Sequence, residues 1–309
     1  MKIYTNITDF NPQKKVVLTT GTFDGLHIGH QKILKKVKQV SKLKNAESVV
    51  LTFSPHPRKI IFPDDNSLRL INSLDEKILR FEKSGIENLI IYPFTKEFSR
   101  ISALEYVRDF LVKELKITTL IIGYDHQFGK NREGNFEYLK DICELYGFEI
   151  IEISAQDIKD VNISSTKIRK AIQEGNFKLA NEYLGYNFPL TGIVVEGKKI
   201  GKTIGVPTAN LFIEDENKII PKNGVYAVHV FYNNTQYKGV MNIGNNPTVS
   251  SENKNSLEVY IFDFDKNIYG EHITIEFIER IREEQKFNSI EDLKSQINRD
   301  KKNALGLLS

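Results

Sequence analysis

The sequence predicts two domains: an α/β domain with a parallel sheet, then a small antiparallel β-barrel or sandwich domain with a C-terminal helix. In the first half of the 309-residue chain, short apolar runs alternate with segments of helical periodicity. Near residue 185 the pattern changes to short stretches in which apolar and polar residues alternate. The length also suits about two domains. We therefore expect one domain at residues 1–185 and the other at 186–309.

The first half contains five apolar runs that are typical of buried strands, at residues 16–18, 49–53, 89–92, 120–123 and 148–151. Helices are expected between and after them, at residues 30–44, from the capping boxes at 73–76 and 102–105, and at 165–174 and 177–184. Apolar strands that alternate with helices predict a parallel sheet covered on both faces.

The second half is predicted to be mainly antiparallel strands. Residues 225–230 and 236–240 flank Asn233 and Asn234, a pair that favours a tight hairpin turn. Residues 257–262 and 273–277 alternate with period two, and a last helix begins near Ser289. This pattern predicts the small barrel or sandwich with its C-terminal helix.

Composition and charge narrow the class of protein. Hydrophobic residues make up 40% and charged residues 27% of the chain, as in ordinary globular proteins. The net charge is only +3, with Lys and Glu interleaved, and no basic, aromatic-rich stripe is present, so a nucleic-acid-binding module is disfavoured. The single cysteine, Cys143, fits a reducing compartment. Because no signal peptide or apolar membrane span is visible, we expect a cytoplasmic protein without a membrane partner.

The most informative stretch follows the first predicted strand and runs into the first predicted helix, at residues 21–30. Glycines here let the backbone approach a phosphate, and the helix N-terminus offers free N–H groups and a positive dipole end. Two histidines three residues apart can face one way and donate hydrogen bonds to a charged transition state. A glycine-rich turn with surface histidines is the alternative. The candidate residues are Gly21, Phe23, Asp24, Gly25, His27, Gly29 and His30.

This stretch resembles the nucleotidyltransferase signature that ends in His-x-Gly-His. The resemblance implies a Rossmann-like domain that transfers AMP or CMP without a covalent intermediate, with His27 and His30 as catalytic residues. A second motif of that superfamily, near another helix start, is matched by residues 163–169. It implies phosphate binding by Ser164, Ser165, Thr166 and Arg169, and the alternative is an N-cap followed by a basic helix.

Two further stretches, residues 52–57 and 123–129, resemble loops of the bacterial FMN adenylyltransferase domain. The resemblance implies that Asp125 lies near the adenosine or its phosphates. It also makes His56 a candidate flavin contact, with a structural loop residue as the alternative. The chain departs from the family pattern at His126, where an aromatic residue is usual, and at Gln127, where Arg is usual.

The second half carries another candidate phosphate site, at residues 197–210. Three glycines at spacing four suit a loop that embraces a phosphate, while Thr208 and Asn210 supply neutral oxygen ligands for Mg²⁺, a hard cation. A turn-rich entry to a barrel would also explain the glycines. The candidate phosphate-binding residues of this stretch are Gly197, Gly201, Lys202, Gly205, Pro207 and Asn210.

Residues 205–210, Gly-Val-Pro-Thr-Ala-Asn, resemble the riboflavin kinase signature, and further matches follow at 224–227, 239–248, 258–264 and 281–287. The resemblance implies that Glu258 is the general base and that Arg282 contacts the flavin or a nucleotide phosphate. Together with the first half, the chain resembles the bifunctional riboflavin kinase/FMN adenylyltransferase family over nearly its whole length. The implied reactions make FMN from riboflavin and FAD from FMN, with ATP and Mg²⁺.

Two alternative functions are compatible with parts of the sequence. The chain could be an adenylyl- or cytidylyltransferase for a different phosphomonoester, but the second half argues against that reading. It could also be a flavin or nucleotide sensor with inactive sites, which predicts loss of His30, Glu258 or the Thr208 and Asn210 pair; all are present. The sequence leaves open the oligomeric state and whether FMN passes between the domains.

Overall fold

The computed structural model describes residues 1–65, 67–124, 126–153, 163–197, 205–245 and 255–309. The chain forms two compact units. The first comprises Met1–Leu68 and Leu74–Ile163, and the second comprises Arg69–Ser73 and Ser164–Ser309. The domain limits of 1–185 and 186–309 stay a prediction from the sequence.

The first unit is built on a six-stranded sheet in which each pair of neighbouring strands is parallel. The order is β1-β4-β3-β2-β5-β6. The strands are β1 (Lys2–Tyr4), β2 (Val16–Thr20), β3 (Glu47–Ser54), β4 (Asn88–Pro93), β5 (Ile117–Gly123) and β6 (Glu149–Ile153). The predicted parallel sheet is confirmed.

Helices cover both faces of this sheet. Val16 and Leu18 of β2 pack into one apolar core, and Val17, which points the other way, packs into a second. The helices are α1 (Ile28–Lys44), α2 (Pro57–Ile61), α3 (Leu74–Ser84), α4 (Ala103–Glu105), which continues as a π-helix (Tyr106–Glu114), and α5 (Phe136–Ile142). Burial on both faces explains why the central strands are continuous apolar runs.

The strand order creates a topological switch point at β2. From β2 the chain moves outward through β3 to β4 and then returns to β5 on the other side of β2. In open α/β sheets, ligands bind in the crevice beyond the carboxyl ends of the strands at such a point. The turn at residues 21–27, which links β2 to α1, lies there.

The second unit is a closed barrel accompanied by helices, and the strand order is β10-β11-β8-β7-β12-β9. The barrel strands are β7 (Pro189–Val195), β8 (Ala209–Phe212), β9 (Gly224–Tyr232), β10 (Thr235–Asn245), β11 (Asn255–Ile261) and β12 (His272–Arg282). The helices are α6 (Ser165–Glu174), α7 (Phe177–Leu184) and the C-terminal α8 (Ile290–Leu307). The structure confirms a barrel rather than a sandwich. None of the described helices is long and apolar enough to cross a membrane.

Two local predictions in the second unit, a hairpin turn and a helix start, agree with the observed backbone and capping. Asn233 and Asn234 have φ of 46° and 59°, the left-handed backbone that a tight hairpin between β9 and β10 requires. The Ser289 side chain accepts a hydrogen bond from the Asp292 N–H and caps α8. The sequence pattern predicted the hairpin and the start of this helix.

A short segment from the first half of the sequence, Arg69–Ser73, is packed within the second unit. The Leu70 N–H donates to the Asn217 carbonyl at 2.7 Å, and the Ile219 N–H donates to the Leu70 carbonyl at 2.8 Å. The buried Lys218 ammonium donates to the Ile71 carbonyl at 2.6 Å and to the Pro189 carbonyl at 2.8 Å. The segment is thus held by backbone and side-chain hydrogen bonds.

Candidate functional site

The turn after β2 has an unusual backbone. Phe23 and Leu26 have φ of 49° and 31°, and Gly25 has φ of 86°. Bulky residues rarely adopt positive φ, and such conformations persist where the surrounding structure fixes them, often at functional sites. Both side chains are 2% exposed in the core under the turn. The buried side chains of Phe23 and Leu26 therefore attach the motif to the apolar core.

Helix α1 begins directly after this turn, with His27 at its N-cap position. In the described chain, His27 makes no side-chain capping hydrogen bond to the first turn of the helix. The N–H groups of that turn therefore remain suited to an anion, together with the positive end of the helix dipole. Gly29 is buried in the same turn.

The two histidines of the motif stack on each other, with ring centroids 3.7 Å apart and planes at 20°. The His30 ring also makes a T-shaped contact with the Phe23 ring, with the ring centroids 5.2 Å apart. Burial lowers the pKa of His30 well below its ordinary value, and the charges of His27 and Lys77 lower it further. Its buried Nδ1 has no hydrogen-bond partner among the described residues. A neutral imidazole of this kind donates a hydrogen bond from one ring nitrogen and accepts one at the other.

The structure adds Lys77 and Thr52 to this site, neither of which the sequence analysis selected as a site residue. The Lys77 ammonium, on α3, donates to the Thr22 carbonyl at 3.4 Å and to Thr52 Oγ1 at 3.3 Å. Thr52 lies at the end of β3 and donates in turn to the Thr22 carbonyl at 3.3 Å. The carboxylate of the buried Asp24 raises the pKa of Lys77, against the larger and opposite effect of burial. The sequence signal was weak, since Lys77 is one of two lysines on an amphipathic helix and belongs to no motif.

Three other predicted residues of the adenylyl-transfer site, His56, Ser164 and Arg169, make hydrogen bonds within their own units. His56 is the N-cap of α2, where its Nδ1 accepts a hydrogen bond from the Arg58 N–H at 3.2 Å. Ser164 caps α6 by accepting from the Lys167 N–H, and Arg169 Nε donates to the Arg69 carbonyl at 2.7 Å. Ser165 and Thr166 form the first turn of the same helix, in the second unit. Asp125 lies outside the described residues.

The second candidate site is centred on Glu258 in β11. Its side chain points away from the barrel interior, which the neighbouring Leu257 and Val259 fill. Thr208 Oγ1 donates to one carboxylate oxygen at 3.2 Å, and Ser256 Oγ donates to the other at 2.9 Å. These two hydroxyls fix the carboxylate in one orientation. Sequence reasoning selected Thr208 but missed Ser256, which carries no motif signal.

Asn210 joins this site through the strand register. It lies opposite Glu258 in the pairing of β11 with β8, and Asn242 lies opposite Glu258 on the other side, in β10. A side chain at Gly197 would overlap the Asn210 amide, so the glycine allows the backbone to approach closely. Gly205 has φ of 79°, and the exposed Pro207 precedes Thr208. Gly201 and Lys202 lie outside the described residues.

Arg282, the other predicted flavin contact, is held at the end of β12. Its Nε donates to both carboxylate oxygens of Asp300 at 3.0 Å, and its Nη2 donates to Oδ2 at 2.8 Å. Nη1 donates to the Glu283 carbonyl at 2.9 Å. Asp300 is 3% exposed and lies on α8, so this ion pair joins the helix to the barrel. Flavin binding by Arg282 stays a prediction.

The described residues contain no group of three or more His, Cys, Asp or Glu side chains that could hold a metal ion. The candidate metal ligands beside Glu258 are neutral oxygens, namely the hydroxyl of Thr208 and the side-chain amide of Asn210. Hard cations such as Mg²⁺ accept this kind of ligand, especially when substrate phosphates supply the remaining oxygens. The residues present therefore fit a magnesium ion that is bound together with a nucleotide.

Comparisons with known proteins match both halves of the chain. A FAD synthetase family model matches residues 9–167, and a riboflavin kinase family model matches residues 184–308. The bifunctional riboflavin kinase/FMN adenylyltransferase of Bacillus subtilis is 38% identical, over 96% of this chain and 94% of that protein. The proteins of the same name from Escherichia coli K12 and from Buchnera aphidicola of Acyrthosiphon pisum are each 37% identical. These matches cover 94% and 96% of this chain, and 91% and 93% of the relatives.

A solved structure has the same fold over nearly the whole chain. It is described as a macrolide-efflux protein from Streptococcus pneumoniae, is 31% identical, and covers 97% of both chains with a TM-score of 0.87. The likeness therefore includes the parallel sheet and the barrel.

Proposed function

The chain belongs to the bifunctional riboflavin kinase/FMN adenylyltransferase family, and we propose that its two activities use the two sites described above. It phosphorylates riboflavin to FMN and adenylylates FMN to FAD, with ATP as the donor in both reactions. The turn after β2 carries the adenylyl transfer, and the Glu258 site carries the phosphorylation. The observation that supports this division is that the histidine pair and Glu258 lie in different compact units.

In the adenylyl transfer, a phosphate oxygen of FMN attacks the α-phosphorus of ATP and the bond to pyrophosphate breaks. Negative charge accumulates on the α-phosphoryl oxygens and on the departing pyrophosphate. His27, His30 and the free N–H groups at the start of α1 donate hydrogen bonds to this charge. Preorganised donors in a buried site are worth most at such a point, because they need no reorganisation during the reaction.

In the phosphorylation, Glu258 takes the proton from the ribityl hydroxyl of riboflavin, whose oxygen attacks the γ-phosphorus of ATP, and ADP leaves. A base must lie in a fixed position to act in the transition state. The hydrogen bonds from Thr208 and Ser256 supply that positioning. Thr208 and Asn210 would hold Mg²⁺, which would neutralise phosphate charge when bound.

The remaining site residues keep the roles implied by the family resemblance. Ser164, Ser165, Thr166, Arg169 and Asp125 are proposed phosphate or nucleotide contacts of the adenylyl transfer. Gly197, Gly201, Lys202, Gly205 and Pro207 are proposed contacts of the kinase nucleotide, and His56 of the flavin. The cytoplasm is the proposed compartment, in keeping with the free thiol of Cys143.

A chromatographic time course tests the two activities together. Purified protein is mixed with riboflavin, ATP and Mg²⁺, and riboflavin, FMN and FAD are separated at intervals. We expect FMN to appear first and FAD to follow. FMN without FAD would contradict adenylyl transfer by this chain. If neither product formed, supplying FMN directly would show whether only the kinase step had failed.

A further inference from the structure

Lys77 is a charged side chain beside the first site that the steps proposed above do not use. Its ammonium lies at the carboxyl ends of β2 and β3, where it donates to the Thr22 carbonyl and to Thr52 Oγ1. Thr22 is the second residue of the turn that carries the histidine motif, and Thr52 is fully buried. The ammonium and the histidine motif therefore lie at the same end of the sheet, beyond the carboxyl ends of the strands.

The hydrogen bonding of this ammonium is incomplete. An ammonium has three protons to donate, and only two acceptors contact Lys77 in the described chain, both neutral and at 3.3 and 3.4 Å. Burial lowers the pKa of Lys77 to about 8, although the carboxylate of Asp24 acts in the opposite direction. A partly buried cation without a close anionic partner is costly to keep charged. An anionic ligand would supply that partner.

Lys77 also acts on His30. Burial is the main cause of the lowered pKa of His30, and the charges of His27 and then of Lys77 lower it further, so the ammonium adds to the preference for a neutral imidazole. At a phosphate, the two groups would make different contributions. The neutral imidazole of His30 would donate a directed hydrogen bond, and the ammonium of Lys77 would supply positive charge. A purely structural tie between α3 and the turn would need only a neutral donor.

We propose that Lys77 is a phosphate-binding cation of the adenylyl-transfer site, whose ammonium contacts oxygens of the ATP triphosphate as the bond to pyrophosphate breaks. The proposal rests on the proposed site at His27 and His30. The attacking FMN oxygen forms the new bond to the α-phosphorus, and pyrophosphate leaves with the bonding electrons. Lys77 stabilises the negative charge of these phosphate oxygens and transfers no proton.

The test compares Lys77→Met, Lys77→Gln and Lys77→Arg with wild type in FMN adenylylation. Loss of one charge-stabilising donor typically costs about 10²–10³-fold in kcat, which we expect for Met and Gln, whereas Arg should retain activity within about tenfold. Riboflavin phosphorylation by the same preparations is the internal control. Lys83→Gln is the matched control, since it removes an exposed lysine from the same helix. Thermal unfolding reports whether each variant is folded.

The pH dependence separates a charged role from a structural one. In wild type, kcat/KM for adenylylation should fall as pH rises through about 8, because the ammonium loses its charge there. Asp24 and His30 are the other titratable groups facing Lys77, and neither changes in the variants. In Lys77→Arg the alkaline fall should disappear, since guanidinium stays charged.

Three outcomes decide the matter. Met or Gln variants with adenylylation within about threefold of wild type would overturn the role of Lys77. An equal loss of both activities and of thermal stability would point to a structural role only. Wild-type protein that forms FMN but no FAD would instead contradict the proposed adenylyl-transfer site itself.

Discussion

The two candidate sites differ in the chemistry of their side chains. The first, after β2, presents imidazoles, helix N–H groups and a nearby lysine, all of which favour negative charge. The second, on β11, presents a carboxylate that two hydroxyls hold in place. The first set is built around a helix start, and the second around the register of barrel strands.

The difference follows from the two nucleophiles. The phosphate of FMN is largely ionised near neutral pH, because the second pKa of a phosphate monoester is about 6. It needs no base, only stabilisation of the charge that builds up on ATP. The ribityl hydroxyl of riboflavin carries a proton that must leave, so its site needs a carboxylate. The comparison predicts that each site can be disabled without the other.

Replacing Glu258 gives the largest expected effect. Glu258→Gln keeps the shape of the side chain but removes the proposed base, so riboflavin phosphorylation should fall by about 10²–10⁴-fold. FMN adenylylation, measured with FMN supplied directly, should be unchanged. A phosphorylation rate within about tenfold of wild type would mean that Glu258 is not the base.

The converse change is His30→Ala. Removing a preorganised donor should lower FMN adenylylation by about 10²–10³-fold and leave riboflavin phosphorylation intact. Both rates are measured on one preparation, with FAD and FMN separated by chromatography. Equal loss of the two activities would contradict the assignment of separate sites.

Thr208→Ala tests the proposed metal ligand. It removes a hydroxyl that contacts Glu258 and is proposed to bind Mg²⁺, so we expect about 10–100-fold weaker apparent Mg²⁺-ATP binding in the kinase step. The adenylylation step should keep its Mg²⁺ dependence. Thr208→Ser, which restores a hydroxyl, is the control. An unchanged Mg²⁺ dependence of phosphorylation in the alanine variant would remove Thr208 from the metal site.

Ser256→Ala gives the smallest expected effect and sharpens the view of how Glu258 is positioned. One net hydrogen bond is worth about 0.5–1.5 kcal/mol, so phosphorylation should slow by about two- to tenfold. Ser256→Thr should restore most of the rate, while adenylylation stays constant in both variants. If alanine had no effect on the rate or on its pH profile, Thr208 alone would be sufficient to hold the carboxylate.

Much of the fold was predictable because its signals are local. The apolar runs and helical segments gave the parallel sheet, and Asn233 with Asn234 gave the β9–β10 hairpin. The three-residue strand β1 was missed, and β7 and β8 were not placed individually because they lack a clean alternation of apolar and polar residues. The π-helix after α4 was also missed. Its i to i+5 bonding, as in the Leu115 N–H to the Phe110 carbonyl, is not encoded by a simple period.

The sequence by itself determined the class of each half and the motifs that identify the chemistry, because contiguous residues carry both. Only the tertiary structure decided which distant side chains join them. Lys77 and Thr52 meet Thr22 through the strand order of the sheet, and Thr208 meets Glu258 where β8 pairs with β11. It also decided that residues 69–73 pack within the second unit. Local periodicity fixes the conformation of a segment, whereas such partners depend on burial and hydrogen bonding between segments far apart in the chain.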